Sequence, residues 1–170
     1  MTKFLTKAAL AATVATGLFA SPALAADTKT FTATARIVSP LTLTKNADLN
    51  FGTITKLPAL TSSTVVVGRA GGGTTACGAN LTCTAPSPAN FSVTGSVGQE
   101  LTVTTSALAV LTSGTNTVNF AIDAPALVNL APAGVGGGTV SFDIGGMITV
   151  DSTTADGTYT GTVDVTVEYS

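Results

Sequence analysis

The chain has 170 residues, the length of one ordinary domain with a short processed segment. Charged residues make up only 9% of it, the net charge is −2, and His and Trp are absent. A His-based catalytic site and binding to a phosphate backbone are therefore unexpected. Apolar residues make up 45% of the chain, enough for a core, and the many Thr, Val and Gly residues favour strands joined by turns. We therefore expect an all-β protein.

Residues 1–25 have the pattern of a secretory signal peptide. A positively charged start is followed by a short apolar run, residues 8–20, and by a small-x-small motif that ends at Ala25. The run is shorter than the roughly 20 residues that cross a bilayer, so we expect cleavage between Ala25 and Ala26 and no membrane span afterwards. The mature chain, 26–170, holds five basic and nine acidic side chains (5 − 9 = −4). Export to the periplasm, and then to the cell surface or medium, is predicted.

Short runs of alternating apolar and polar residues recur through the mature chain, separated by turn residues. The predicted strands are 29–38, 41–43, 48–54, 63–68, 90–95, 100–105, 116–122, a pair within 139–150, and 158–169. Two hairpins are expected, one joining 90–95 to 100–105 and one turning at Gly145-Gly146. About nine or ten strands are enough for two packed sheets, so we expect a single antiparallel, immunoglobulin-like β-sandwich over 26–170.

The two cysteines, Cys77 and Cys83, lie in the short stretch CGANLTC. In an oxidising compartment such a pair is expected to form a disulfide that closes a small loop. A metal site would need more ligands than the chain brings together in sequence, and the carboxylates are scattered. We expect no metal, no cofactor and no enzymatic activity.

The final run, GTYTGTVDVTVEYS, alternates strictly from Gly157 to Ser170. Its apolar face must be covered, because alternate side chains of a strand point to the same side. The four residues 156–159, Asp-Gly-Thr-Tyr, match the tyrosine corner that leads into the penultimate strand of an immunoglobulin-type sandwich. In such a domain another strand follows, whereas this sequence stops after the run. An apolar groove and an unpaired edge are therefore expected beside 158–169.

This C-terminal run resembles the end of chaperone–usher pilus subunits, which have a penultimate aromatic residue and a Gly fourteenth from the end. Tyr169 and Gly157 stand at those two places. Leu-Asn-Phe-Gly at 49–52 resembles the start of spore-coat-U-like subunits of archaic pili. The stretches 89–105 and 140–169 are more similar to a family of small exported bacterial proteins, the domain of unknown function 4402, and that resemblance spans most of the mature chain.

The pilin resemblance implies donor-strand complementation, in which a chaperone lends a strand to the groove and the N-terminal extension of the next subunit replaces it at an outer-membrane usher. The groove would be walled by Gly157, Tyr159, Val163, Val165, Val167 and Tyr169. The donor side chains would be Phe31, Ala33, Ala35 and Ile37. The segment 26–38 lacks the central Gly of many donor strands, and residues 29–38 could instead be the domain's own first strand.

Two functions follow from this sequence. The first is a non-enzymatic structural subunit of a pilus- or fimbria-like surface polymer. Its partners would be neighbouring copies or homologous subunits, with a periplasmic chaperone and an outer-membrane usher. The alternative is a self-contained secreted β-sandwich that binds a glycan or a surface protein, although the absence of Trp and the presence of only two Tyr residues weaken glycan binding.

Overall fold

The structure is a computed structural model that describes residues 27–132 and 138–170. The predicted signal peptide and its cleavage site at Ala25 and Ala26 lie outside these residues. The described parts contain twelve strands and no helix, so the all-β prediction is confirmed. The chain divides into two units between Ala35 and Arg36, and the described part of the first unit is residues 27–35.

The strands lie in the second unit. They are β1 Thr42–Ala47, β2 Thr53–Lys56, β3 Ser62–Val67, β4 Ala76–Cys77, β5 Leu81–Thr84, β6 Ala89–Thr94, β7 Glu100–Thr105, β8 Val110–Ser113, β9 Asn116–Asp123, β10 Leu127–Asn129, β11 Thr139–Asp151 and β12 Val165–Tyr169. The described segment that precedes β1, residues 27–41, belongs to no strand. We call residues 27–38 the arm.

The strand pairs of the described residues are all antiparallel and form three sheets. The largest has the order β1-β6-β11-β3-β4, and β9 joins it through β11 and carries β8 on its other side. A three-stranded sheet has the order β10-β7-β12, and β2 pairs with β5. The predicted β-sandwich is confirmed, with β4, β8 and β10 among the short strands that the alternation did not reveal.

The predicted hairpin at Gly145-Gly146 is wrong, because 139–151 is one long strand. The first half of β11 pairs with β6, and its second half pairs with β3 and β9. Its two glycines allow close approach instead of a turn. A Cβ on Gly145 would lie 2.2 Å from the carbonyl oxygen of Val67, and one on Gly146 would lie 2.8 Å from the ring of Phe120.

The predicted hairpin of 90–95 with 100–105 is also wrong. β6 lies in the seven-stranded sheet and β7 in the three-stranded sheet. Both strands bury every second residue, Phe91 and Val93 in β6 and Leu101 and Val103 in β7, in the same core cluster. The two strands therefore face each other across the core instead of lying side by side.

The interior consists of two clusters. The closed core lies between the first half of β11, β6 and β7, and it contains Ala89, Phe91, Val93, Leu101, Val103, Val128, Leu130, Phe142 and Ile144. The second cluster lies along the other half of β11 and contains Leu60, Val65, Leu81, Val118, Phe120, Ile148 and Val150. Aromatic pairs support both, with Phe91 stacked on Phe142 at 5.6 Å and Phe51 edge-on to Phe120 at 6.1 Å.

The predicted disulfide is present between Cys77 and Cys83, with an S–S distance of 2.04 Å. It joins β4, which pairs with β3, to β5, which pairs with β2. The bond therefore tethers the small β2–β5 sheet to the large one. Among the described residues there is no helix long and apolar enough to cross a membrane.

Candidate functional site

An open cavity of about 870 Å³ lies where the two core clusters meet, and we call it the groove. Segments 45–56 and 154–165 both contribute to its lining. Its apolar lining includes side chains that are only half-buried, namely Leu49, Phe51, Leu108, Leu111, Val163 and Val165. These side chains are packed on one side and face open space on the other.

One wall is fixed by the irregular stretch between β1 and β2. Asn50 and Ser87 exchange two main-chain hydrogen bonds of 2.9 and 2.8 Å, and the Asn50 side chain accepts a third from the Gly52 amide at 2.8 Å. Gly52 has a φ of 75° and lies so close to Thr84 that a Cβ would be 1.9 Å from its carbonyl oxygen. Only Gly fits this bend, which holds Leu49 and Phe51 in the lining.

The opposite wall is the run 157–165, which the sequence predicts as part of one continuous strand. Thr160 instead pairs with Thr112 of β8 through two hydrogen bonds of 2.9 Å, and β12, paired with β7, begins only at Val165. Residues 161–164 belong to no strand. The alternation nevertheless holds, because Val163 and Val165 are half-buried while the residues between and beside them are exposed.

The tyrosine corner predicted at 156–159 is confirmed. The Tyr159 hydroxyl donates a hydrogen bond of 2.8 Å to the Ala155 carbonyl, as the motif requires. Gly157 lies against Ser113, whose Oγ would be 2.5 Å from a Cβ at that position. Tyr159 and Gly157 both line the groove.

The charged residues of the lining lie in pairs. Lys45 Nζ is 2.7 Å from Asp48 Oδ1, and Lys56 Nζ is 3.6 Å from Asp156 Oδ1 while donating to the Thr154 carbonyl at 2.5 Å. In the part of the chain that the structure describes, no three His, Cys, Asp or Glu residues lie close enough to hold a metal ion. The groove therefore combines apolar side chains with polar ones, and its charged residues are paired with each other.

Two of the predicted groove residues, Val167 and Tyr169, lie outside the lining and pack against the closed core. The Tyr169 hydroxyl donates to the Ser39 carbonyl at 2.6 Å and accepts from the Ser96 amide at 2.8 Å. The Ser39 amide in turn donates to Ser96 Oγ at 2.6 Å. We call this three-residue arrangement the Tyr169 clamp.

The predicted donor side chains all lie on the arm and are exposed. Phe31 is 90% exposed and Ile37 is 94% exposed, and Ala33 and Ala35 are also exposed. Such exposure is unusual for Phe and Ile in a folded protein. The arm thus presents an uncovered apolar face.

Sequence reasoning identified one wall of the groove and missed the other. Leu49 and Phe51 alternate within the predicted strand 48–54, but nothing in the sequence sets them opposite Val163. Leu108 and Leu111 were not singled out, because Ser-Ala-Leu-Ala-Val-Leu at 106–111 lacks strict alternation. Only the tertiary fold brings these five residues to one cavity.

The fold is all-β, and the described interior is open along the groove. The family model of the domain of unknown function DUF4402 matches residues 41–169, and the chain belongs to this family. The predicted resemblance to it is therefore confirmed, and the matched region begins after the arm. Searches of curated proteins and of solved structures find no match.

Proposed function

We propose that this protein is a non-enzymatic structural subunit of a pilus- or fimbria-like surface polymer, in which a strand from another chain fills the groove. The single observation that carries the proposal is an open apolar groove in the same chain as an exposed arm with alternate apolar residues. The partners would be neighbouring copies or homologous subunits, brought together by a periplasmic chaperone and an outer-membrane usher.

The strands beside the groove leave room for another strand. Among the described strands, β1 pairs only with β6 and β12 pairs only with β7, so each has one unpaired edge. Side-chain atoms of Leu41, just before β1, and of Tyr169, at the end of β12, would both lie within 3 Å of a Cβ on Gly95. The start of β1 and the end of β12 therefore lie close together at the clamp. Unpaired edges beside apolar surface favour the addition of a strand from another chain.

The arm has a suitable length and pattern. A strand rises about 3.3 Å per residue, so the twelve residues of the arm reach about 36 Å when extended, which exceeds the roughly 26 Å that the wall 157–165 could span. Phe31, Ala33, Ala35 and Ile37 fall on one face of such a strand. Their apolar side chains match the half-buried apolar residues of the lining, such as Phe51, Leu111 and Val163.

The alternative, a self-contained binding module, has less support. The groove volume falls within the roughly 300–1,000 Å³ of small-molecule pockets, but those pockets contain a few converging polar groups. Here the charged lining residues are paired with each other. Tyr159 and Tyr169 are half-buried and hydrogen-bonded, so neither offers the flat exposed ring that a sugar needs.

The test compares the mature chain 26–170 with a version that carries Thr28–Val38 again after a short C-terminal linker. We expect the first to be unstable or to polymerise, and the second to be a monomer with a higher melting temperature. The matched control carries Phe31→Asp and Ile37→Asp in the appended copy only, and it should behave like the unmodified chain. A stable, unmodified monomer that melts at the temperature of the extended version would refute the proposal.

A further inference from the structure

The position at which the arm joins β1 restricts the directions that the arm can take. β1 begins at Thr42, and the adjacent Leu41 lies near Tyr169 at the end of β12. An arm that filled its own groove would have to reverse direction just before Leu41. It would then run back between β1 and β12, antiparallel to β1.

Pro40 opposes a tight reversal at this point. Two-residue hairpins use type I′ or II′ turns, whose first central residue has a positive φ, and the ring of Pro fixes φ near about −65°. The residue that precedes a Pro is also restricted to extended conformations. Neither Ser39-Pro40 nor Pro40-Leu41 can therefore form the centre of a tight hairpin.

The Tyr169 clamp opposes a wider reversal. It holds the main chain of Ser39 on both sides, because the Ser39 amide donates to Ser96 and its carbonyl accepts from Tyr169. Arg36 donates a further hydrogen bond to the side chain of Gln99. Ser96 and Gln99 both lie in the connection between β6 and β7. Residues 36–39 thus follow that connection, and a turn into the groove would break these hydrogen bonds.

We propose that Pro40 and the Tyr169 clamp keep the arm from its own groove, so that the arm fills the groove of a second copy of this chain. The inference rests on the proposed function and gives a physical reason why the arm binds another chain and not its own. Tyr169 and Ser96 are positioning residues in this scheme, because they hold the point at which the arm leaves the domain. The groove residues themselves receive the strand.

The test removes both obstacles from the mature chain. Ser39→Asn with Pro40→Gly installs the Asn-Gly pair that favours a type I′ turn, and Tyr169→Phe removes the clamp hydroxyl while keeping the ring. Light scattering should give multimers for the wild-type chain and a monomer for the triple variant. Trypsin, which cleaves after Lys29 and Arg36, should cut the arm of the monomer at least tenfold more slowly than a free arm peptide.

Two controls separate the proposed cause from a general loss of structure. Pro58→Gly makes the same exchange in another connection, and Thr102→Val removes a hydroxyl that bonds Ser170 at the same end of β12. Both variants should remain multimeric. Ser39→Asn with Pro40→Gly, without the Tyr169 change, should give an intermediate monomer fraction, so the inference stays testable if the triple variant does not fold.

The outcomes distinguish this inference from the proposed function. A folded triple variant that forms the same multimers as the wild type overturns the inference and leaves strand complementation intact. A wild-type monomer with a trypsin-resistant arm also overturns it, since the arm would then fill its own groove. A wild-type monomer with a cleavable arm, whose melting temperature the appended segment does not raise, overturns both.

Discussion

The closed core and the groove are built from the same kinds of side chain but are covered differently. Val93 and Leu101 in the closed core have no exposed surface, whereas Leu111 and Val163 in the groove are only half-buried. All four lie in stretches rich in Val, Leu and Thr. Residue type therefore does not distinguish the two regions.

The difference arises from the sheet that covers each region. Over the closed core, the three-stranded sheet lies opposite β6 and the first half of β11. Along the groove that cover ends, because the C-terminal run leaves β7 before Val165 and pairs with β8 only at Thr160. Full burial of one such side chain stabilises a fold by about 1.5–3 kcal/mol. A strand added to the groove would recover part of that energy for each lining residue.

A charge introduced at the junction of the closed core and the groove should have the largest effect. Val165 packs against the closed core and also lines the groove. We expect Val165→Asp to abolish accumulation of the protein in the periplasm, because a carboxylate there would lose its hydration when the groove is filled. Immunoblots of periplasmic extracts measure this. Thr166→Asp, on the exposed face, is the matched control, and wild-type levels of Val165→Asp would show that this face stays in water.

The same Leu→Ala truncation should cost different amounts of stability in the closed core and in the groove. Leu101→Ala should cost about 2–5 kcal/mol in the free energy of unfolding, because it leaves a cavity in a closed core. Leu111→Ala should cost about 1 kcal/mol or less in the unfilled chain, because its side chain is half-buried. In the version with the appended arm segment, the cost of Leu111→Ala should rise towards about 2 kcal/mol. Urea unfolding of the two versions and their three variants tests this, and equal costs of Leu111→Ala in both versions would show that the appended strand does not cover Leu111.

The disulfide gives a smaller effect at the groove wall. Replacing Cys77 and Cys83 together with Ser should cost about 2 kcal/mol, since the bond closes a short loop. The β2–β5 sheet should loosen first, because the bond tethers it to the large sheet. Hydrogen exchange should therefore accelerate more at Ile54 in β2 than at Val93 in the closed core. Equal acceleration at both positions would contradict a local tether.

Alternation in the sequence predicted the face of each strand better than the partner of each strand. The exposed and half-buried residues of 163–169 follow the sequence pattern, as does the tyrosine corner at 156–159. A turn was expected at Gly145-Gly146, but these residues lie within a strand. Gly occurs both in turns and where chains approach closely, and local sequence does not separate these uses. The places of Leu49 and Leu111 in the groove lining depend on contacts between distant segments, which alternation does not encode.

The smallest effect concerns the turn between β11 and the tyrosine corner, far from the closed core. Hydrogen bonds from the Thr153 hydroxyl at 2.7 Å, from the Thr154 hydroxyl at 3.1 Å and from the Thr153 amide at 2.9 Å reach Asp151 Oδ1. These bonds, that of the Thr153 hydroxyl first, lower the pKa of Asp151 below its ordinary value. A carboxyl with a lowered folded-state pKa contributes stability that is full above its unfolded pKa, about 4, and is lost as the pH falls through the folded value.

Wild-type protein should therefore lose slightly more stability than Asp151→Asn when the pH is lowered from about 4 to about 2. Thr153→Val, which removes the most important hydroxyl but keeps the carboxylate, should flatten the pH dependence in the same window. Thermal melts at closely spaced pH values measure both variants against the wild type. Parallel pH profiles for all three proteins would show that these hydrogen bonds do not stabilise the Asp151 carboxylate in the folded state.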